Sequence, residues 1–190
     1  MQLPRPLRSY LLAVLLTCAS PWLAQATDFT PEPGYISLYN GKDLTGWTYK
    51  TGAPFDGKAE SSDNRYSAQA DTLIVHPGTG LAQLWTTREF PKNFTLKLEF
   101  RASINADSGV FLRKPQLQCR DYLVAGPYTT LTAYKPQDWN LLEIIVKDGI
   151  AHCTCNGELL EDALPIPATG PIGLEADRGQ MEYRHIQLKE

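Results

Sequence analysis

The sequence predicts an all-β protein in which two antiparallel sheets pack as a jelly-roll sandwich, and three observations predict it. Residues 94–103, FTLKLEFRAS, place Leu96, Leu98 and Phe100 on one face and Lys97, Glu99 and Arg101 on the other, which is the period of a half-buried strand. Asp148-Gly149 and Asn156-Gly157 separate the runs NLLEIIVK, IAHCTC and ELLEDAL, and Asx-Gly pairs between such runs mark the tight turns of a meander. After residue 26 no stretch carries the 3.6-residue apolar period of a helix of three turns or more. Many short strands with glycine-rich turns need two stacked faces to bury their apolar sides.

The elements follow in chain order. Residues 1–26, MQLPRPLRSYLLAVLLTCASPWLAQA, run from Arg5 and Arg8 through an apolar core at 10–16 to Ala24-Gln25-Ala26. That order is a secretory signal peptide, with cleavage expected after Ala26 and a periplasmic or secreted product. The apolar core is too short to span a bilayer, and Thr17 is bulkier than the small residue that precedes a lipidated cysteine at a position such as Cys18. No second apolar stretch reaches membrane length, so no transmembrane segment is expected. The remaining residues, 27–190, suit a single domain. The whole chain carries a net charge of −3, and removing the two leader arginines leaves −5. With no basic stripe, nucleic acid is not an expected partner.

YISLYNGKDLTGW, residues 35–47, starts as a strand and reaches Asn40-Gly41, a hairpin signal. It continues, however, as a polar, glycine-broken strap ending on Trp47. Residues 49–64, YKTGAPFDGKAESSDN, form a long polar loop of the kind that carries function or lacks order. SGVFLRKPQLQCRD puts Val110 and Leu112 on the core parity with Phe111 and Arg113 opposite. Pro115 then interrupts the ladder, and Leu117 and Cys119 alternate with Gln116, Gln118 and Arg120. GPIGLEAD and MEYRHIQLKE close the chain as two more strands. Cys153 and Cys155 share a strand face with Ala151 and read as small buried apolar residues. With Cys119 they make an odd number and lack a zinc-ligand spacing. No metal or cofactor is expected.

Several chemistries lack their motifs. There is no Gly-x-Ser-x-Gly, His-Glu-x-x-His, phosphate-binding glycine loop or EF-hand spacing. Glu175-Ala176-Asp177 falls one carboxylate short of the Glu-x-Asp-x-Glu strand of sandwich-fold glucanases. A polar set remains on strand positions opposite the core: Glu99, Arg101, Arg113, Gln116, Gln118 and Glu175. Every antiparallel sheet has a solvated face, so solubility alone accounts for polar residues there. Arginine and glutamine are planar, multi-donor groups suited to sugar hydroxyls, which makes a saccharide groove the competing reading. His152 and His185 read as strand-surface histidines.

GYISLYNGKDLTGW, LWTTREFPKNFTLKLEFR, DSGVFLRKP, KPQDWNLLEIIVK, NGELL and GPIGLEADRGQMEYRHIQL, in this order, resemble the 3-keto-disaccharide hydrolase domain from about Gly34 to Lys189. The resemblance implies a concanavalin A-like jelly roll, export, and a carbohydrate partner of the 3-keto-glycoside type. It implies that the Asn-Gly strap and Trp47 are architectural. The chain departs from the family at Gln116, where an acidic residue is usual, and near Glu175, where glutamine is frequent. The 49–64 loop has no counterpart, and His152 stands near a family histidine.

A 3-keto group acidifies the hydrogen on C2 and places the C1 glycosidic oxygen β to the carbanion. One base and one cation then suffice for elimination, with water addition completing a net hydrolysis. Glu175 or Glu99 is expected as base, Arg113 or Arg101 as stabiliser, and His152 as reserve base. Arg101, Gln116, Gln118 and Asp177 are expected to contact substrate, and Glu175 and Arg113 are expected to meet on a concave sheet. Gln116 favours the alternative of a non-catalytic saccharide-binding module, and an envelope protein without a ligand is a third reading.

Overall fold

The computed structural model describes residues 29–121 and 127–190, so the leader, its cleavage site and Cys18 lie outside the described residues. Thirteen strands follow in order: β1 (Ile36–Ser37), β2 (Trp47–Thr48), β3 (Tyr66–Gln69), β4 (Thr72–Val75), β5 (Ala82–Glu89), β6 (Phe94–Ala102), β7 (Asp107–Leu112), β8 (Gln116–Arg120), β9 (Asn140–Lys147), β10 (Ile150–Cys155), β11 (Glu158–Pro165), β12 (Pro171–Ala176) and β13 (Met181–Lys189). Among the described residues the helical content is one 3-10 turn at Pro127–Thr130. The larger sheet runs β11-β10-β9-β6-β13-β4-β3, with β1 also on β13, and the smaller runs β2-β5-β12-β7-β8. All pairings are antiparallel. This is the jelly-roll sandwich that the strand pattern predicts.

The alternation becomes burial directly. In β6 every second residue from Phe94 to Ala102 is buried and the intervening ones are half-buried. Leu96, Leu98 and Phe100 face Val110, Leu112, Ile172 and Leu174 of the smaller sheet across one continuous core. Cys119, Cys153 and Cys155 are unpaired thiols within that core. Burial pushes the Cys153 and Cys155 thiols up to about 12, so they are inert small apolar residues.

The strap is architectural, as the resemblance implies. Asn40 Oδ1 accepts the backbone N–H groups of Lys42 and Asp43 at 2.9 and 3.0 Å, an Asx turn made by the side chain. Strand β1 covers only Ile36–Ser37 and pairs with β13 of the larger sheet, whereas Trp47 opens β2 on the smaller one. Residues 38–46 therefore cross between sheets instead of returning as a hairpin. Trp47 is fully buried and its indole N–H donates to Leu38 O at 2.8 Å. The strap closes one end of the core and the tryptophan holds it there.

Arg65 is a second fastener. It is 6% exposed, and its guanidinium donates to the carbonyls of His76, Thr79, Gly80, Ala176 and Asp177. One buried cation thereby ties the 76–80 loop to the end of β12.

Candidate functional site

The outward face of the smaller sheet carries the site. On β12, Gly173 and Glu175 point away from the Ile172 and Leu174 core; on β5, Gln83 pairs with Glu175 and Trp85 with Gly173. Phe111 of β7 pairs with Gly173 and with Gln116 of β8, and Gln118 pairs with Gly109. Trp85 and Phe111 are only 5% and 7% exposed yet stand outside the core cluster, which places them on this second face. Two glycines make that possible. A Cβ on Gly109 would stand 2.0 Å from Gln116 Nε2, and one on Gly173 would stand 2.7 Å from the Trp85 ring. The bare backbone thus lets Gln116 lean across β7 and lets the indole lie against β12.

Leaning across Gly109 brings the Gln116 amide onto the Glu175 carboxylate, to which it donates. Gln116 Oε1 accepts from Gln118 Nε2 at 3.2 Å, and Gln118 Oε1 accepts from Arg120. Arg120 Nε faces Asp107 Oδ1 at 3.0 Å, an ion pair whose angle is outside that of a hydrogen bond. A polar chain Glu175–Gln116–Gln118–Arg120–Asp107 therefore runs across β12, β8 and β7. Glu175 is 8% exposed. Burial pushes its carboxyl upward from the ordinary value and the carboxylates of Asp177 and Asp107 add to this, against the lowering pulls of Gln116 and Arg120. A nearly buried carboxyl whose pKa is raised suits proton transfer.

Beside this chain lies a cleft of ≈ 390 Å³. Trp85 and Phe111, 5.0 Å apart and inclined by 35°, form its floor. Thr48, Lys50, Gln83 and Lys114 are among its walls. Gln83, which lines the cleft, is the cross-strand partner of Glu175. Lys50 comes from the 49–64 loop, which is folded rather than formless. Phe55 in it is buried and donates its N–H to Trp47 O, and Tyr49 Oη donates to Asp63 at 2.5 Å.

Of the residues expected from sequence, the structure brings Glu175, Gln116 and Gln118 together, with Asp177 just beyond the end of β12. The expected meeting of Glu175 with Arg113 does not occur. Arg113 has φ 66°, which breaks the strand alternation and turns its side chain to the sandwich end. There it donates to Pro167 O and Lys92 O at 2.6 and 2.5 Å and covers the Phe94 ring. Glu99 and Arg101 lie on the outer face of the larger sheet, across the core from Glu175. Glu99 accepts from Arg184 at 2.5 Å and faces His185 Nδ1 at 3.0 Å, while Arg101 donates to Glu182 at 2.7 Å and packs on Trp139. His152 is on β10 of that same sheet, exposed and 2.9 Å from Asp162. Their parity is opposite the core as expected, but it belongs to the wrong sheet for a shared site with Glu175.

Sequence reasoning passed over Asp107, Arg120, Trp85 and Lys50. Arg120 was on the right parity in QLQCR. An isolated glycine inside a strand signals close approach by another group, and Gly109 and Gly173 carried that signal for Gln116 and Trp85.

A family profile described as the 3-keto-alpha-glucoside-1,2-lyase-like domain matches residues 34–189. Comparison with curated proteins finds no match. Among solved structures the chain is similar to a provisionally assigned glycosyl hydrolase from Parabacteroides distasonis, with a TM-score of 0.64 at 17% identity over 83% of this chain and 94% of that one. It is also similar to a Bacillus licheniformis β-glucanase, with a TM-score of 0.55 at 10% identity over 82% and 97%. A third is the carbohydrate-binding module CBM66 of Bacillus subtilis, at 0.53 and 10% over 78% and 98%. At such identities the likeness to these structures is one of fold, and it is the profile match across nearly all of the described chain that places the protein: it belongs to the 3-keto-alpha-glucoside-1,2-lyase-like domain family.

Proposed function

We propose that the protein cleaves 3-keto-glycosides by elimination across C1 and C2, with Glu175 as the base. The observation that carries this reading is the Glu175 carboxyl, nearly buried on the outward face of the smaller sheet, held by Gln116 and paired across the sheet with Gln83, which lines an aromatic-floored cleft. Family membership supports the substrate class, because elimination from such a glycoside is what a 1,2-lyase performs.

Glu175 accepts the proton from C2, and the electron pair passes into the C2–C3 bond as the 3-keto oxygen becomes an enolate. Arg120 is the cation of the polar chain, and with the Gln118 amide it supplies donors to that oxygen. The enolate re-forms the ketone, the C1–O bond breaks, and the aglycone leaves with a proton from Glu175 or water. Addition of water to the C1–C2 alkene completes a net hydrolysis. Gln116 keeps one Glu175 oxygen occupied and so fixes the direction of the other. The signal-like leader adds a location: cleavage after Ala26 and release to the periplasm or exterior, checked by the mass of the mature N-terminus.

The test is incubation of the purified protein with a 3-keto-glucoside bearing a chromogenic aglycone, beside the unoxidised glucoside. Release from the keto compound alone is the expected result. Saccharide binding with no release from either would assign the fold to a binding module, a reading that Gln116, standing where the resemblance implies an acid, favours.

A further inference from the structure

The cleft beside Glu175 has a charge pattern that the elimination does not require. Its floor is apolar and flat: the Trp85 indole lies against Gly173 and beside Phe111. Two cations stand at its edge, Lys50 from the loop after β2 and Lys114 from the β7–β8 turn, both exposed. Neither makes an ion pair among the described residues. Lys50 Nζ instead rests 4.8 Å from the Trp85 ring centroid, a weak contact for an exposed cation. Of the other charged groups of the cleft, Arg113 is directed at two carbonyls, and Glu89 keeps its charge while accepting from Thr169 Oγ1 at 2.9 Å. The lining thus holds three cations, Lys50, Lys114 and Arg113, against one anion, Glu89. The chain as a whole is acidic, with a net charge of −3, so this positive excess around one aromatic floor runs against the general balance. The indole N–H of Trp85 is also buried with no acceptor, a donor that an oxygen-bearing ligand would satisfy.

Position gives this pattern its meaning. Gln83 and Glu175 pair in one row across the smaller sheet, Trp85, Gly173, Phe111 and Gln116 pair in the next, and Gln116 leans from that row onto Glu175, so the aromatic floor adjoins the polar chain. On the reading of Glu175 as base, the sugar that loses its C2 proton occupies the polar side, and the group attached at C1 extends over Trp85 and Phe111. We infer that this cleft is the leaving-group subsite and that it selects aglycones whose ring bears a carboxylate. The ring stacks on Trp85 and Phe111 once Lys50 lifts from the indole, and the carboxylate takes Lys50 and Lys114 as partners. A carboxylated aryl group and a uronic acid share this chemistry. The inference rests on the proposed reaction for its orientation, and on the cleft's own residues for its selectivity.

The experiment has a binding half and a turnover half. In the first, Glu175→Gln protein, which cannot consume ligand, is titrated with 4-hydroxybenzoate and with 4-hydroxybenzamide, and with glucuronate and glucuronamide, following ligand-observed NMR. Each carboxylate is expected to bind about tenfold more tightly than its amide, the scale of two exposed ion pairs. The preference should weaken as salt rises and fall to about one in the Lys50→Ala/Lys114→Ala double variant. In the second half, wild-type kcat/KM is compared for the 3-keto-glucosides of the same four groups, and the larger carboxylate-to-amide ratio identifies aryl or uronate as the source. Equal binding of carboxylate and amide, or a preference that survives loss of both lysines, overturns the inference whatever the turnover. Selective, lysine-dependent binding with no release from any glycoside leaves the subsite standing and removes the lyase reading.

Discussion

Replacing Gly109 by alanine tests the polar chain with a single methyl group. Gly109 is a strand residue outside the left-handed region, so alanine meets no backbone strain. Its Cβ would stand 2.0, 2.4 and 2.5 Å from Gln116 Nε2, Cγ and Cδ. Reaching an ordinary contact of about 3.4 Å requires the Gln116 side chain to move by roughly 1.4 Å, and no hydrogen bond survives such a shift. The bond lost is the Gln116 amide to the Glu175 carboxylate, of the charged class that contributes about 1.5–3 kcal/mol. If that energy holds the base in its reacting direction, a tenfold effect per 1.36 kcal/mol gives a fall of roughly 10- to 100-fold in kcat. Gln116 also lowers the Glu175 pKa, so the acidic limb of the rate profile should move to higher pH. Stability should fall by about 0.5–2.5 kcal/mol, the lost bond set against the roughly 0.5–1 kcal/mol by which strand alanine is favoured over glycine. The assay is aglycone release against pH, with thermal melting as the folding control and Gln116→Ala as the second arm. The double variant should be no worse than either single one, since both remove the same bond. A folded Gly109→Ala protein with wild-type kcat and an unmoved acidic limb would refute the reasoning, as would strictly additive losses.

Three further outcomes follow from the fold and the site. Trp47→Phe removes the donor to Leu38 O and part of a fully buried ring; a loss of about 1–3 kcal/mol is expected in urea unfolding, and an unchanged midpoint would show that the strap is not held there. Arg65→Met leaves five carbonyls of the 76–80 loop and β12 without their donor. A loss of about 3–5 kcal/mol, the scale for removing one partner of a buried charge, is expected, and Arg65→Lys should recover only part of it. Glu175 also links pH to stability. Its folded pKa is raised, so the folded state holds the proton more tightly than the unfolded chain. This favourable contribution is complete below the unfolded carboxyl pKa and is lost as pH rises through the folded one. The stability of Glu175→Gln relative to wild type should therefore grow with pH across that window. A difference constant with pH would show that burial does not perturb the carboxyl.

The strand content was legible because β6, β9 and β10 each bury one face and leave the other to solvent, and a period of two records just that. What alternation does not record is which sheet a strand joins. Glu99, Arg101 and Glu175 have the same relation to the core, yet β6 and β12 lie in different sheets, so one parity described two faces on opposite sides of the molecule. Arg113 escaped for a different reason. A positive φ at a non-glycine residue next to a turn reverses the direction of a side chain, and nothing in RKP announces it. The Asn40-Gly41 pair was a true turn signal, but a turn motif gives local geometry and not the partner of the strand that follows; it was the polar, glycine-broken run up to Trp47 that marked a strap. Gln116 reads differently once placed. Where the resemblance implies an acid, the chain has an amide that reaches across β7 and donates to Glu175 on the same face.

The account stands most directly on Glu175 as the group that takes the C2 proton. Glu175→Gln preserves size and a polar partner for Gln116 while removing basicity, and the quantity to measure is the rate of aglycone release from a 3-keto-glucoside. A fall of about 10²–10⁴ in kcat, with a melting temperature no lower than wild type at the assay pH and little change in KM, is the predicted result. Release at near wild-type rate by a folded Glu175→Gln protein would contradict it.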